Sequence, residues 1–168
     1  NLHKFIRIEL EEITIEKVKS FVNKIISEKQ KESHHQIDSR NEYKRWLTGF
    51  LGECAVEKFI GKKFVDFSIG NSKKYHVPDL KSIGLNCGIK TVEFGKFPII
   101  FKNSFKSELI VLKQTDRIFY ICGLASKEVL NKYQSMSLVL SPFLRRRGTK
   151  TGFYGFHKLQ SPEIILDY

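Results

Sequence analysis

The chain has 168 residues, 41% of them hydrophobic, with 29 Lys and Arg against 18 Asp and Glu and a formal net charge of +11. That length suits one domain able to bury about two-thirds of its unfolded surface. The charge favours a polyanionic partner, nucleic acid first and anionic membrane second, because neutralised phosphates release condensed counterions. No stretch approaches the roughly 18 consecutive apolar residues that span a bilayer, and Glu9, Glu11 and Glu12 soon after Arg7 leave no signal-peptide core. The expectation is a soluble, cytoplasmic or intracellular protein that is not secreted and not in the membrane. Cys54, Cys87 and Cys122 are odd in number, far apart and set among apolar or small residues, the pattern of buried free thiols.

In chain order, residues 1–8 suit a short strand or arm. Ile15, Val18, Phe21, Val22, Ile25 and Ile26 then recur at three- and four-residue spacing and predict a helix over residues 14–31, capped by Thr14. Residues 32–38 are polar and aperiodic, a loop whose adjacent His34 and His35 would point apart in regular structure and lack a third ligand. A second helix is expected from Ser39 or Asn41 to Ile60, stopped by Gly61, with Tyr43, Leu47, Phe50, Leu51 and Cys54 inward and Trp46 flanking. Glu53 falls at the border of that buried face. Its helical neighbours are Gly49, Phe50, Val56 and Glu57, so no cation on the same helix can pair with it. Gly49 and Gly52, each costing about 1 kcal/mol in a helix interior, suggest close approach of another element.

Beyond Lys63 the periodicity shortens. Strands are expected at residues 64–67, 75–80, 86–94, 99–101, 108–112 and 117–123, with a basic turn at 70–74 carrying Lys73 and Lys74, and the most apolar two joined by a turn at 113–116. Ser126 caps a short helix to Tyr133, residues 137–140 suit a strand, and residues 153–159 form a final aromatic one. The chain divides into an N-terminal helical extension (1–38), a core (40–125) and a basic loop with an aromatic strand (141–158), all within a single domain spanning 1–168. Arg145, Arg146, Arg147 and Lys150, in a loop with Gly148, can track phosphates; Lys73 and Lys74, and then Lys102 and Lys106, extend that grip.

Chemistry concentrates in two runs, Leu51-Gly52-Glu53 on the helix and Val77-Pro78-Asp79 followed by Gly88-Ile89-Lys90 on a candidate hairpin. Alternation in a strand turns Gly88 and Lys90 to one side and Ile89 to the other. An acid on a helix set against an acid and a lysine is raw material for metal-assisted phosphodiester cleavage, in which carboxylates hold a divalent cation and a lysine orients water or neutralises developing charge. His76, three residues before Asp79, points away from it. Elbow, P-loop, dinucleotide and His-Glu-x-x-His motifs are missing from the sequence.

This ordered set resembles the PD-(D/E)XK nuclease superfamily, over about residues 40–125. The resemblance implies an α/β, restriction-endonuclease-like fold with a mixed central β-sheet flanked by helices. It implies a magnesium-dependent DNA endonuclease, with manganese as a possible substitute and double-stranded DNA as substrate. Glu53 and Asp79 would be metal ligands, the Ile89 backbone carbonyl a further ligand, and Lys90 the catalytic lysine; homodimers are common in the family. The departure is Gly88, where the family has Glu or Asp. Three readings stay open: Glu53 serves as the second carboxylate, Glu93 reaches in through a bulge that shifts strand parity, or the chain only binds nucleic acid without cutting it. An RNA-processing nuclease is a further alternative, and Gln114 a marginal extra polar contact.

Overall fold

The computed structural model describes residues 3–29, 39–68 and 79–167. It is a mixed α/β structure, with helices on a mixed sheet. Strands β1 (Ile6–Glu9), β2 (Cys87–Glu93), β4 (Ser107–Lys113) and β5 (Ile118–Ala125) form one sheet in the order β1-β5-β4-β2. The β1/β5 and β5/β4 pairs are antiparallel and β4/β2 is parallel. A second, antiparallel sheet has β3 (Ile99–Phe101), β7 (Lys150–Phe153) and β6 (Gln134–Ser135) in the order β3-β7-β6.

Alternation along the strands divides the core in two. Leu109, Val111, Phe119 and Ile121 face helices α1 (Glu12–Lys29) and α2 (Ser39–Ile60), where they meet Ile15, Val18, Val22, Leu47, Leu51 and Val56. The intervening Ile110, Leu112 and Cys122 face the opposite way, onto Ile100, Leu130 and Phe153. That second layer holds the short helix α3 (Lys127–Lys132) and the small sheet. Each such aliphatic side chain contributes about 1.5–3 kcal/mol when fully buried, so the central strands are held from both faces.

The helices follow their apolar spacing, with details the sequence pattern does not give. Helix α1 opens at Glu12, and the amides of Thr14 and Ile15 already donate to the Glu11 carbonyl; Thr14 therefore lies within the first turn instead of capping it. Helix α2 ends where expected, with Gly61 at φ 75° donating its amide to the Glu57 carbonyl. Gly52 is a true close approach: a Cβ there would lie 1.8 Å from Thr91 Oγ1 on β2, so the bare backbone lets α2 settle on that strand. Gly49 is not, since a Cβ would meet nothing within 4 Å.

Other expectations are corrected. Residues 62–67 form no strand; the Phe64 and Val65 amides donate instead to the Glu57 carboxylate at 3.1 and 2.9 Å, which replaces ladder partners. The predicted strand at 137–140 gives way to a 3-10 turn, Met136–Leu138. Residues 145–147 belong to helix α4 (Pro142–Arg147), capped by Ser141 and ended by Gly148 at φ 69°, so the basic cluster is mostly helical. The aromatic strand starts earlier than predicted, at Lys150, and Phe156–Lys158 turns as a 3-10 helix. Phe153 is fully buried, which makes it a core residue. The loop with His34 and His35, the basic turn with Lys73 and Lys74, and the run with His76, Val77 and Pro78 lie outside the described residues.

Candidate metal and phosphodiester site

Asp79 stands at the start of a tight turn whose next residue, Leu80, is fully buried and anchors it. The Leu80 amide donates to the Cys87 carbonyl at 3.0 Å and the Leu85 amide returns to the Leu80 carbonyl at 3.1 Å, with the turn Lys81–Ile83 between them. The turn brings Asp79 back against β2, where its Oδ2 accepts the Ile89 amide at 2.7 Å. Among the described strands β2 pairs only with β4, so an outward amide is available and the carboxylate takes it as a neighbouring strand would.

From the other side α2 delivers Glu53. Its carboxyl is in hydrogen-bond contact with Asp79, and burial first, then the charge of Asp79 and of Glu57, raise it well above the usual carboxylate range. Two carboxyls in contact without a countering cation keep a proton between them or hold a cation. Glu53 also lines a pocket of about 200 Å³ with Arg45, Trp46, Gly49 and Phe50. The Trp46 and Phe50 rings stack at 5.9 Å beside it, and the absent side chain of Gly49 leaves its wall open.

Lys90 lies on the opposite face of β2 from Ile89, and there the surroundings are charged. Gly88 is fitted beneath Glu108 of the adjacent strand and Lys106 just before it: a Cβ would lie 2.2 Å from Glu108 Oε2 and 2.8 Å from Lys106 Nζ. Lys106 and Glu108 approach to 3.8 Å. Burial raises the Glu108 carboxyl, an effect opposed by the charges of Lys106 and Lys90 and reinforced by that of Asp79. Lys150, arriving on β7, lies over the Phe101 ring at 3.4 Å. Burial, with the nearby charges of Lys90 and Arg147, brings it down to about 8. The charges of Lys90, Lys106 and Lys150 thus all act on the Glu108 carboxylate, and among the described residues only Lys106 pairs with it, at 3.8 Å.

The remaining predicted residues separate from this centre or hold its rim. Arg147 is next to Lys150 in charge and sits over the Phe143 ring at 5.8 Å. The Arg145 Nε donates to the Val139 carbonyl just before α4, and the Arg146 Nε to the Pro142 carbonyl within it. The Glu93 reading is corrected: β2 is in unbroken register with β4 from Cys87 to Glu93, so no bulge alters its parity. Glu93 is instead bound by Lys44 at 2.9 Å and Lys96 at 3.2 Å. Gln114 accepts the Tyr120 hydroxyl at 3.2 Å at the β4–β5 turn. Cys54, Cys87 and Cys122 are buried free thiols, each pushed up to about 12 chiefly by burial, so they are poor ligands and nucleophiles.

The pattern of the sequence picks out Glu53, Asp79 and Lys90, but Glu108 escapes it. Glu108 opens an apolar run, and only the partner strand reveals what it faces. Among the described residues no three of His, Cys, Asp and Glu form a ready-made metal-binding group. Glu53 and Asp79 are nonetheless hard oxygen donors in mutual contact, with no cation among the described residues opposing the rise of the Glu53 carboxyl, a donor set that fits magnesium or manganese. Comparison with protein-family models, with curated proteins and with solved structures gave no match to this chain. Among the described residues no helix is long and apolar enough to cross a membrane.

Proposed function

We propose that the protein is a metal-dependent endonuclease that hydrolyses phosphodiester bonds of double-stranded DNA, on a restriction-endonuclease-like arrangement of its mixed sheet. The observation that carries this reading is the meeting of Glu53 with Asp79, while Asp79 is fastened to the Ile89 amide one residue from Lys90. Two carboxyls from distant parts of the chain are costly to hold together in a folded protein unless a cation is meant to join them. The net charge of +11 supplies the affinity for a polyanion.

A bound magnesium ion would supply a polarised water and neutralise charge on the scissile phosphate. Glu53 and Asp79 would hold it, and the Asp79 bond to Ile89 fixes the direction of that ligand. Lys90 would orient the attacking water or neutralise charge developing on the phosphate. Lys150, with the Arg147 side chain next to it, would hold the phosphate backbone on the rim of the site.

Supercoiled plasmid DNA incubated with magnesium or manganese tests the reading. Cleavage by wild type, lost in Asp79→Asn and Lys90→Ala while both variants still bind DNA, supports it. A wild type that binds DNA with a steep salt dependence and never cuts with either metal would make the protein a silent nucleic-acid binder. Cleavage of RNA alone would move the substrate class.

A further inference from the structure

Gly88 departs from the acid expected two residues before Lys90, and the strand register accounts for the departure. In the parallel β2/β4 pair, Gly88 is aligned with Glu108, and aligned residues of a parallel pair project to the same side of the sheet. The Glu108 carboxylate leans across to its neighbour, occupying the volume a side chain at Gly88 would fill, with Oε2 only 2.2 Å from the position of a Cβ. We propose that Glu108 supplies the carboxylate missing from the Gly88-Ile89-Lys90 run, so that the acid and the lysine of this site are divided between two parallel strands and Glu108 is a third ligand for the divalent cation.

The proposal deepens the nuclease reading and rests on it. Two observations carry it beyond a grouping of acids. Glu108 is only 8% exposed, yet among the described residues it accepts no hydrogen bond, and its closest cation, Lys106, stands at 3.8 Å. A carboxylate so buried and so loosely paired is costly, whereas an ion between it and Asp79 would satisfy both. Glycine is then a requirement of position 88 and not a relic: any side chain there would displace the Glu108 carboxylate. Lys90, two residues along the same face of β2, stands on the side where the acid arrives.

Manganese binding, followed by the loss of free-ion electron paramagnetic resonance signal and by calorimetry, provides the test without requiring turnover. The variants are Glu108→Gln, Asp79→Asn and the exchange Gly88→Glu/Glu108→Ala, which returns the acid to β2. Circular dichroism checks that each is folded. Glu108→Gln is expected to weaken manganese by about tenfold or more, and the exchange to recover most of that loss. If wild type and Glu108→Gln bind manganese equally while Asp79→Asn does not, the Glu108 assignment is overturned and the metal site remains. If Glu108→Gln fails to fold and the exchange variant folds without binding manganese, the assignment is overturned as well. If wild type itself binds none, the metal-dependent reading fails, and this inference fails with it.

Discussion

Replacing Glu53 by Gln in the metal-free protein should make it more stable, an uncommon outcome for a buried residue that contacts its neighbours. Burial, then the charges of Asp79 and Glu57, raise the Glu53 carboxyl. With its folded-state pKa above the unfolded value of about 4.3, the group contributes its full stability below that value and loses it as pH rises through the folded pKa. Metal-free wild type should therefore weaken from about pH 5 toward pH 8 through this group. Two full carboxylate charges about 4 Å apart repel by about 4 kcal/mol at an effective dielectric of about 20, and wild type evades part of that by keeping a proton. Gln keeps the shape, donates a hydrogen bond to Asp79 and carries no charge. The expected gain at pH 8 is about 2 kcal/mol, a rise in Tm of roughly 4–8 °C for a chain of this size. Thermal and urea unfolding with a chelator present, between pH 5 and 8, measures it. Added magnesium should then stabilise wild type more than the variant. A Glu53→Gln protein less stable than wild type at pH 8 would show that a cation already balances this carboxylate, and a gain as large at pH 5 as at pH 8 would show that its ionisation is not the cause; either result would refute the reasoning.

Two glycines of the same helix should behave oppositely. Gly52→Ala drives a Cβ to 1.8 Å from Thr91 Oγ1 and should cost about 2 kcal/mol despite better helix propensity, whereas Gly49→Ala, with open space around it, should gain up to about 1 kcal/mol; urea midpoints distinguish them. Lys150, at about 8 in the free protein, loses its charge as pH rises through that value, so DNA affinity measured by anisotropy should fall between about pH 7 and 9. Lys150→Arg, which stays charged, should flatten that profile, and an unchanged profile would remove Lys150 from the proposed DNA contact.

Much of the scaffold was legible because its signals are local. The 3.6-residue recurrence of Leu47, Leu51 and Cys54, and the stop at Gly61, define α2 within a residue or so, and the apolar alternation of β4 and β5 marks the central strands. Errors fell where a short apolar or basic run depends on what it meets. The Phe64 and Val65 amides are claimed by Glu57 instead of a strand, and Arg145 to Arg147 join a helix because Ser141, Pro142 and Gly148 frame one.

For the site, the sequence by itself determined which residue types were available and which side of their own element they occupy: Glu53 at the border of the buried helix face, Lys90 on the same side of β2 as Gly88. It could not determine that Asp79 would be tied to the Ile89 amide, that Glu53 would meet it, or that Glu108 would lie over Gly88. Periodicity is a property of a few consecutive residues, while strand order and register are set by packing between segments far apart in the chain. Gly88 looked like a gap because its neighbour in space is twenty residues away along the chain, on a parallel strand whose alignment only the folded sheet fixes.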